Sequence, residues 1–320
     1  MASARLLDEL REGARLHPDD VARALSYGEA LSRAECLPAA IAEFQRALRL
    51  DHENRQARLA LGRAWLAAGE PEKALEQFRR LAGAEDEITR AEAMLAAPRS
   101  DAGYVRHLFD QFSKDYDARM RAELGYRAPE ILRELMALVA PERRALDILD
   151  LGCGTGLSGL AFKPLAQKLD GIDLSPLMIE KARARALYDD LSVGDIETVP
   201  GTDAYDLLLA ADTLVYLGEL QTVFATAARL LRKDSLFLFT VESNEGEDYA
   251  LGPKRRWRHS AAYLRQAAAA AGLDVAGLVA CVPRHEAGVP VEGFALALAK
   301  SQDAAQGSRD SAWSGAGKVL

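Results

Sequence analysis

Cysteine is scarce: Cys36, Cys153 and Cys281 are the only three in 320 residues. They are widely separated and odd in number, and no C-x-x-C pair occurs. Neither a disulfide framework nor a cysteine-held zinc site is expected. No set of His, Cys, Asp and Glu shows metal-ligand spacing, so no metal is expected. No apolar run is long enough to cross a bilayer. The opening stretch MASARLLDELREGARL mixes both signs of charge and lacks the apolar centre of a signal peptide. No membrane contact and a reducing, cytoplasmic setting follow as expectations. Positive charge is not in excess: 40 Lys and Arg face 48 Asp and Glu, a net charge of -8. That balance disfavours a broad nucleic-acid footprint while leaving room for a local basic patch, and no nucleic-acid partner is expected.

What the chain does have is apolar mass and one glycine cluster. Hydrophobic residues make up 49% of the 320 residues, enough for about two domains with proper cores. The organising stretch is Ala145–Phe162, ALDILDLGCGTGLSGLAF. Leu146–Leu151 is an apolar run broken by Asp147 and Asp150, which suits a buried parallel strand better than a one-sided one. It leads into Gly152-Cys153-Gly154-Thr155-Gly156 and then a small-residue segment that can open a helix. Glycines here let the backbone turn sharply and let a ligand approach where a Cβ would block it. The first N–H groups of the next helix then favour negative charge. The same pattern also occurs as a plain strand-to-helix turn with no ligand. A dinucleotide site would read G-x-G-x-x-G. Here Leu157 occupies the third glycine position, and the extra glycine stands one residue early, at Gly156.

Residues 1–17 read as an amphipathic helix with Leu6, Leu7, Leu10 and Ala14 on one face. The chain then repeats itself at 34 residues: Gly28 and Gly62, Ala40 and Ala74, Phe44 and Phe78. That period, with Gly, Ala and Phe in that order, resembles the tetratricopeptide repeat, a pair of antiparallel helices. The repeats fall near 21–54 and 55–88, with Glu87–Ala97 as a capping helix. A stack this short can hold a partner in a groove, brace the next domain, or pair two copies into a homodimer.

Pro98–Gly103 reads as a linker. In the following segment, Phe109, Phe112, Tyr116 and Met120 recur at helical spacing, as in a helix that packs on the next domain. Strands and helices then alternate. The second strand, Lys168–Ile172, ends at Asp173, which lies 23 residues after Asp150. An acid near that distance suits a ribose diol, because a carboxylate can accept two hydrogen bonds. Asp173 can also be read as a helix cap. Ser175 fits the cap of the helix Pro176–Leu187 better, with Pro176 at its first position, which leaves Asp173 for a ligand. Leu191–Val193 precedes Gly194-Asp195-Ile196, and Tyr205–Ala211 leads to Asp212. Leu236–Val241 is a fifth strand, and Ala261–Gly272 an alanine-rich helix. The strands near Val275–Val282 and Gly293–Ala299 are too close together for a crossover helix, so they must be antiparallel neighbours. The tail from Ser301 is polar and expected to be disordered.

The spacing D-x-G-x-G-x-G from Asp150 to Gly156 resembles the first motif of class I S-adenosylmethionine-dependent methyltransferases. The region 21–300 as a whole resembles bacterial tetratricopeptide-repeat-containing members of that class, which have no defined substrate. The matching pieces are the repeats, HLFDQFSKDYDARM, DLGCGTG, GIDLSPLMIEKA, AADTLVYLGEL and RRWRHSAAYL. The resemblance implies a Rossmann-like sheet of seven strands, one antiparallel, after an all-α repeat domain. The implied domains are 1–98, a linker and lid at 99–141, a catalytic domain at 142–300 and a tail at 301–320. Under it, Asp150, Gly152, Cys153, Gly154 and Gly156 wrap the methionine end of S-adenosylmethionine. Asp173 and Leu174 meet the ribose, Asp195 accepts from the adenine amino group, Ile196 packs on the ring, and Ala210 and Tyr116 complete the site.

Methyl transfer is an in-line displacement, so the protein's main task is to hold a nucleophile near the methyl carbon with water excluded. A base is required only if the nucleophile arrives protonated. Asp212 and His259 are the candidate catalytic residues, and His259 is equally readable as a helix-start or surface residue. Lys254, Arg255, Arg256 and Arg258 form either an acid-recognising patch or a solvated loop. The fourth strand gives Ala210-Ala211-Asp212-Thr213 rather than an Asn/Asp-Pro-Pro-Tyr/Phe tetrad, which argues against methylation of planar amino groups of bases or glutamine. The expected acceptor is a small molecule or a protein. A non-catalytic repeat adaptor and a nicotinamide-dependent oxidoreductase are the competing readings. The glycine spacing and the final hairpin speak against the latter.

Overall fold

A computed structural model describes residues 2–34, 36–112, 116–246, 248–252 and 255–300. The tail from Ser301, Lys254 and the side chains of Leu6 and Phe112 lie outside the described residues. The chain divides into two compact units, one of 1–97 with 103–105, the other of 98–102 with the residues from 106 onward. No described helix is long and apolar enough to cross a membrane.

The first unit is all-helical: α1 (Ala2–Leu16), α2 (Val21–Arg33), α3 (Leu37–Leu50), α4 (Arg55–Ala67), α5 (Pro71–Phe78) and α6 (Glu85–Ala96). Its sequence period has a packing counterpart. Asp20 caps α2 by accepting from Ala22 N and Arg23 N, and Asn54, 34 residues later, caps α4 by accepting from Ala57 N. Gly28 on α2 lies against the Phe44 ring, so close that a Cβ there would sit 2.6 Å from it. Gly62 on α4 stands in the same relation to Phe78. Ala40, Ala74 and Phe78 are fully buried and Phe44 nearly so. Each helix pair therefore closes on a phenylalanine that only a bare backbone can accommodate.

The second unit carries α7 (Ala102–Phe112) from Arg106 onward, α8 (Tyr116–Ala122) and α9 (Ala128–Val139) ahead of a mixed sheet. Strands β1 (Leu146–Leu151), β2 (Ala166–Asp173), β3 (Asp190–Val193), β4 (Tyr205–Ala210) and β5 (Leu231–Ser243) run parallel in the order β3-β2-β1-β4-β5. β9 (Val289–Lys300) joins β5 antiparallel, and β8 (Leu273–Glu286) joins β9 antiparallel. These seven strands carry the single antiparallel strand that the short final connection requires. The hairpin is longer than the sequence suggested, because both strands run to a two-residue turn at Ala287 and Gly288, with φ of 49° and 80°.

Two short strands were not foreseen. β9 pairs with β5 only as far as Glu242 and Gly293. The last residues of β5 instead pair with β7 (Trp257–His259), and β6 (Tyr249–Leu251) pairs with β7. The stretch read as a loop before the last helix is therefore part of the sheet.

Successive strand residues feed two cores. Leu149, Leu151, Leu208 and Phe237 face α12 (Gln221–Leu230) and α13 (Ala261–Ala270), while Ile148, Leu207, Leu209 and Leu236 face α9. Both faces of the sheet are covered, as parallel strands require. α10 (Leu157–Phe162) follows β1, and α11 (Pro176–Ala184) follows β2. All the carboxyl ends of the parallel strands open on one edge, where a ligand is expected.

Gly28→Ala is expected to destabilise the helical unit by about 1–2 kcal/mol, overpacking outweighing the gain in helix propensity. Urea unfolding followed by circular dichroism measures it, and Phe44→Leu in the same chain should restore part of the loss. An unchanged or raised midpoint for Gly28→Ala would contradict the packing described.

Candidate functional site

The turn after β1 is built from left-handed glycines: Gly152, Gly154 and Gly156 have φ of 73°, 53° and 93°. At Gly152 a Cβ would run into Thr213, whereas at Gly154 it would meet nothing within 4 Å. The loop thus packs on one side and leaves open space on the other. Gly152 N and Cys153 N both donate to Ile172 O at 2.8 and 3.0 Å, tying the loop to β2. The Cys153 side chain is buried beside Gly171, so only its backbone belongs to the rim.

Two buried acids end the first two strands. Asp150 accepts from the Tyr188 hydroxyl through Oδ2 at 2.6 Å, and its buried Oδ1 has no partner among the described residues. Burial pushes its pKa up to about 7; the Tyr188 hydrogen bond opposes this and the Asp173 charge adds to it. Asp173 accepts from Gly154 N through Oδ2 and from Ser175 N through Oδ1, both at 2.8 Å. Burial raises it to about 6, against those two N–H bonds, with Asp110 adding to the rise. The expectation that Asp173 stands free is therefore corrected. It is the strut between the glycine loop and the start of α11, and it keeps spare lone pairs for a ligand. Ser175 is the cap, accepting from Met178 N at 3.0 Å. Leu174, between them, is half-buried, and Ala210 at the end of β4 is fully buried.

The helices α7 and α8 are latched to this loop and to the start of α11. Asp110 on α7 accepts from Ser175 Oγ. Asp117 on α8 accepts from Thr155 Oγ1 at 2.6 Å and pairs with Arg185. Phe109 lies edge-on to both Tyr116 and Tyr216, with ring centres 6.1 and 5.6 Å apart. Burial, then the charges of Asp212, Tyr216 and Asp173, hold the Tyr116 hydroxyl well above its usual pKa.

Asp195 follows β3 but is not free. Its Oδ2 pairs with Arg99 at 2.9 Å and its Oδ1 accepts from Glu197 N at 3.0 Å, while Arg99 also pairs with Glu197. Pro98–Ser100, read as a linker, is an ordered strap: Ser100 N donates to Tyr216 O, and Gly218 N donates to Pro98 O, both at 2.8 Å. Ile196 is buried in the core alongside Leu151 and Ile172.

Beyond β4, Asp212 adopts φ of 57° and its N donates to Thr240 Oγ1 at 2.8 Å. Its carboxylate pairs with Arg284, a fully buried arginine on β8 that also binds Glu242 and Glu286. Arg256 pairs with Glu286, and Arg258 approaches Glu242 at 3.5 Å. Arg256 is thus drawn into an ion pair, whereas Arg258 pairs with Glu242 from an exposed position. Tyr188, Arg284 and Arg99 went unrecognised in the sequence, since each acts on an acid far away along the chain.

His259 requires a correction. It lies on β7, fully buried, with Nε2 donating to Gly218 O at 3.0 Å and its ring stacked on Tyr263. Burial pushes its pKa down to about 4, against the pull of the Gly218 and Leu217 carbonyls. Its Nε2–H is given to Gly218 and its Nδ1, without a partner among the described residues, is sealed in the interior where no acceptor reaches it, so His259 is placed as a structural residue rather than a general base.

Asp150 and Asp173 both titrate above the ordinary carboxylate range. The folded chain therefore holds protons that the unfolded chain has released, and the stability they contribute is present near pH 4 and lost as pH rises through about 6–7. Without added ligand, the melting temperature of the unaltered chain minus that of Asp150→Asn should fall from about pH 5 to pH 8. A difference independent of pH would contradict the burial of an ionisable Asp150.

With this geometry in view, the likenesses to known proteins take on meaning. Residues 148–234 match the family described as a methyltransferase domain. The chain is 36% identical over 131 residues to human methyltransferase-like protein 27, covering 39% of this chain and 53% of that protein. It is 33% identical over 147 residues to malonyl-[acyl-carrier protein] O-methyltransferase of Geobacter sulfurreducens, covering 44% and 54%. The chain spans about half the length of the curated relatives it matches. Among solved structures, the 1,6-didemethyltoxoflavin-N1-methyltransferase of Burkholderia thailandensis aligns at TM-score 0.50 and 18% identity, over 64% of this chain and 91% of that one. The [4+2]-cyclase SpnF aligns at TM-score 0.53 and 17% identity, over 64% and 98%. The second unit thus has the class I methyltransferase fold and carries a methyltransferase domain.

Proposed function

We propose that the chain is an S-adenosylmethionine-dependent methyltransferase acting on an oxygen or nitrogen nucleophile of a small molecule or a protein. The observation that carries this is the pairing of an open, left-handed glycine loop with two buried acids that have no counter-ion among the described residues. The open space at Gly154 and the orphaned Asp150 Oδ1 fit a ligand with a cationic end lying over the loop. Asp173 would accept from the ribose hydroxyls with its remaining lone pairs, and Asp195, oriented by Arg99, from the adenine amino group. S-adenosylmethionine, when bound, supplies a methyl group on a positively charged sulfur, which needs no further activation.

The residues of this chain then position and shield. The latched lid brings Phe109 and Tyr116 over the edge of the sheet and excludes water. Asp212, held by Arg284, lies on the acceptor side with Tyr216. His259 is sequestered, and burial raises the pKa values of Tyr116, Tyr126 and Tyr216. None of these groups serves as a base near neutral pH, so the reading favours an acceptor that arrives ionised or loses its proton to solvent. The name of the bacterial relatives, O-methyltransferases of a malonyl group, agrees with such an acceptor. The helical unit is read as tetratricopeptide repeats that recruit the acceptor or a protein partner, on the strength of its 34-residue spacing of caps and Gly–Phe pairs. A reducing cytoplasm suits its free cysteines.

Calorimetric titration with S-adenosylmethionine, S-adenosylhomocysteine and NAD tests the reading. The first two should bind and NAD should not. Asp173→Ala should weaken binding at least tenfold, the loss of hydrogen bonds to a charged group. Unchanged affinity in that variant, or binding of NAD alone, would overturn the assignment.

A further inference from the structure

Tyr188 lies in the connection between α11 and β3, where the helix ends early at Ala184 and Ala186 turns with φ of 52°. Its ring fills a slot cut from three glycines on three different segments. A Cβ at Gly156 in the loop would sit 3.0 Å from it, at Gly159 on α10 2.7 Å, and at Gly171 on β2 2.9 Å. So placed, the tyrosine has one orientation, and its hydroxyl reaches Asp150 Oδ2 at 2.6 Å. Burial and the Asp150 charge hold that hydroxyl well above its ordinary pKa, so it remains a donor.

Asp150 itself is fully buried and makes no ion pair among the described residues. The titratable groups facing it are Tyr188, Asp173 on β2, Cys153 in the loop and Tyr126 ahead of α9. None of them is a cation. A buried carboxylate with one oxygen bonded and one orphaned is costly unless a positive or donor group completes it.

We propose that Tyr188 is a positioning residue for the ligand: by holding Asp150 through Oδ2 it leaves Oδ1 for the ammonium group of an amino-acid moiety lying over the glycine loop. The inference rests on the S-adenosylmethionine reading and adds a residue, and a discrimination, to it. Ligands with the amino-acid end should depend on Tyr188, and ligands lacking it should not.

The test compares S-adenosylhomocysteine with 5′-methylthioadenosine, which keeps the adenosine and thioether but has no amino-acid end. Tyr188→Phe keeps the ring and removes the hydroxyl. It should weaken S-adenosylhomocysteine about 10- to 100-fold and leave 5′-methylthioadenosine unchanged. In an Asp150→Asn background the same substitution should add nothing, because the two residues act as one unit. The pH midpoint of S-adenosylhomocysteine affinity should move upward in Tyr188→Phe, since a carboxylate without its donor ionises later. Equal losses for both ligands, additive losses in the double variant, or an unmoved midpoint would show that Tyr188 only props the loop, and would overturn the proposal. If the unaltered chain binds neither ligand, the cofactor reading itself fails, a result separate from any effect of Tyr188.

Discussion

The second unit depends on a buried carboxylate doing the work of a backbone partner. Asp173 accepts from Gly154 N on one side and Ser175 N on the other. One side chain thereby joins the turn after the first strand to the start of the helix after the second. Without that link the left-handed glycines would have an orphaned N–H facing the sheet edge, and the loop would lose its shape. Asp150, one strand over, is held from below by Tyr188. Two acids with raised pKa values are thus set side by side at the edge where parallel strands end. Such a pair is unfavourable unless a ligand uses it, which is the physical reason to read it as a site.

Around this centre, charge recurs as clamps. Asp110 ties α7 to the start of α11, Asp117 ties α8 to the glycine loop, Arg99 ties the strap to Asp195, and Arg284 ties β8 to Asp212 and Glu242. Each clamp joins segments far apart in sequence. Arg284 is fully buried, and removing it alone would leave acids uncompensated in the interior. Around Asp212 the acids are therefore satisfied by ion pairs, whereas Asp150 and Asp173 keep spare hydrogen-bonding capacity.

Much of this was legible in the sequence where the signal is local. The run Leu146–Leu151 followed by spaced glycines marks a strand and its turn, and the 34-residue period marks the recurring Gly, Ala and Phe positions, which the fold brings together as Gly28 against Phe44 and Gly62 against Phe78. The short final connection dictates the antiparallel strand. Long-range partners left no such mark. Nothing near Tyr188 announces Asp150, and nothing in the hairpin announces that Arg284 reaches Asp212. His259 looked available because it precedes a helix; only the pairing of β7 with β5 and β6 shows it enclosed. Asp173 was placed correctly at a strand end, but its bonds to two N–H groups depend on how the glycine loop folds back.

The central claim, that the glycine loop and its two acids form the ligand site, is tested most directly by hydrogen exchange with and without S-adenosylhomocysteine. The account predicts added protection at Gly152–Gly156 and at Asp173–Ser175, with β8 and the helical unit unchanged. Protection confined to other segments, or none at all, would contradict it.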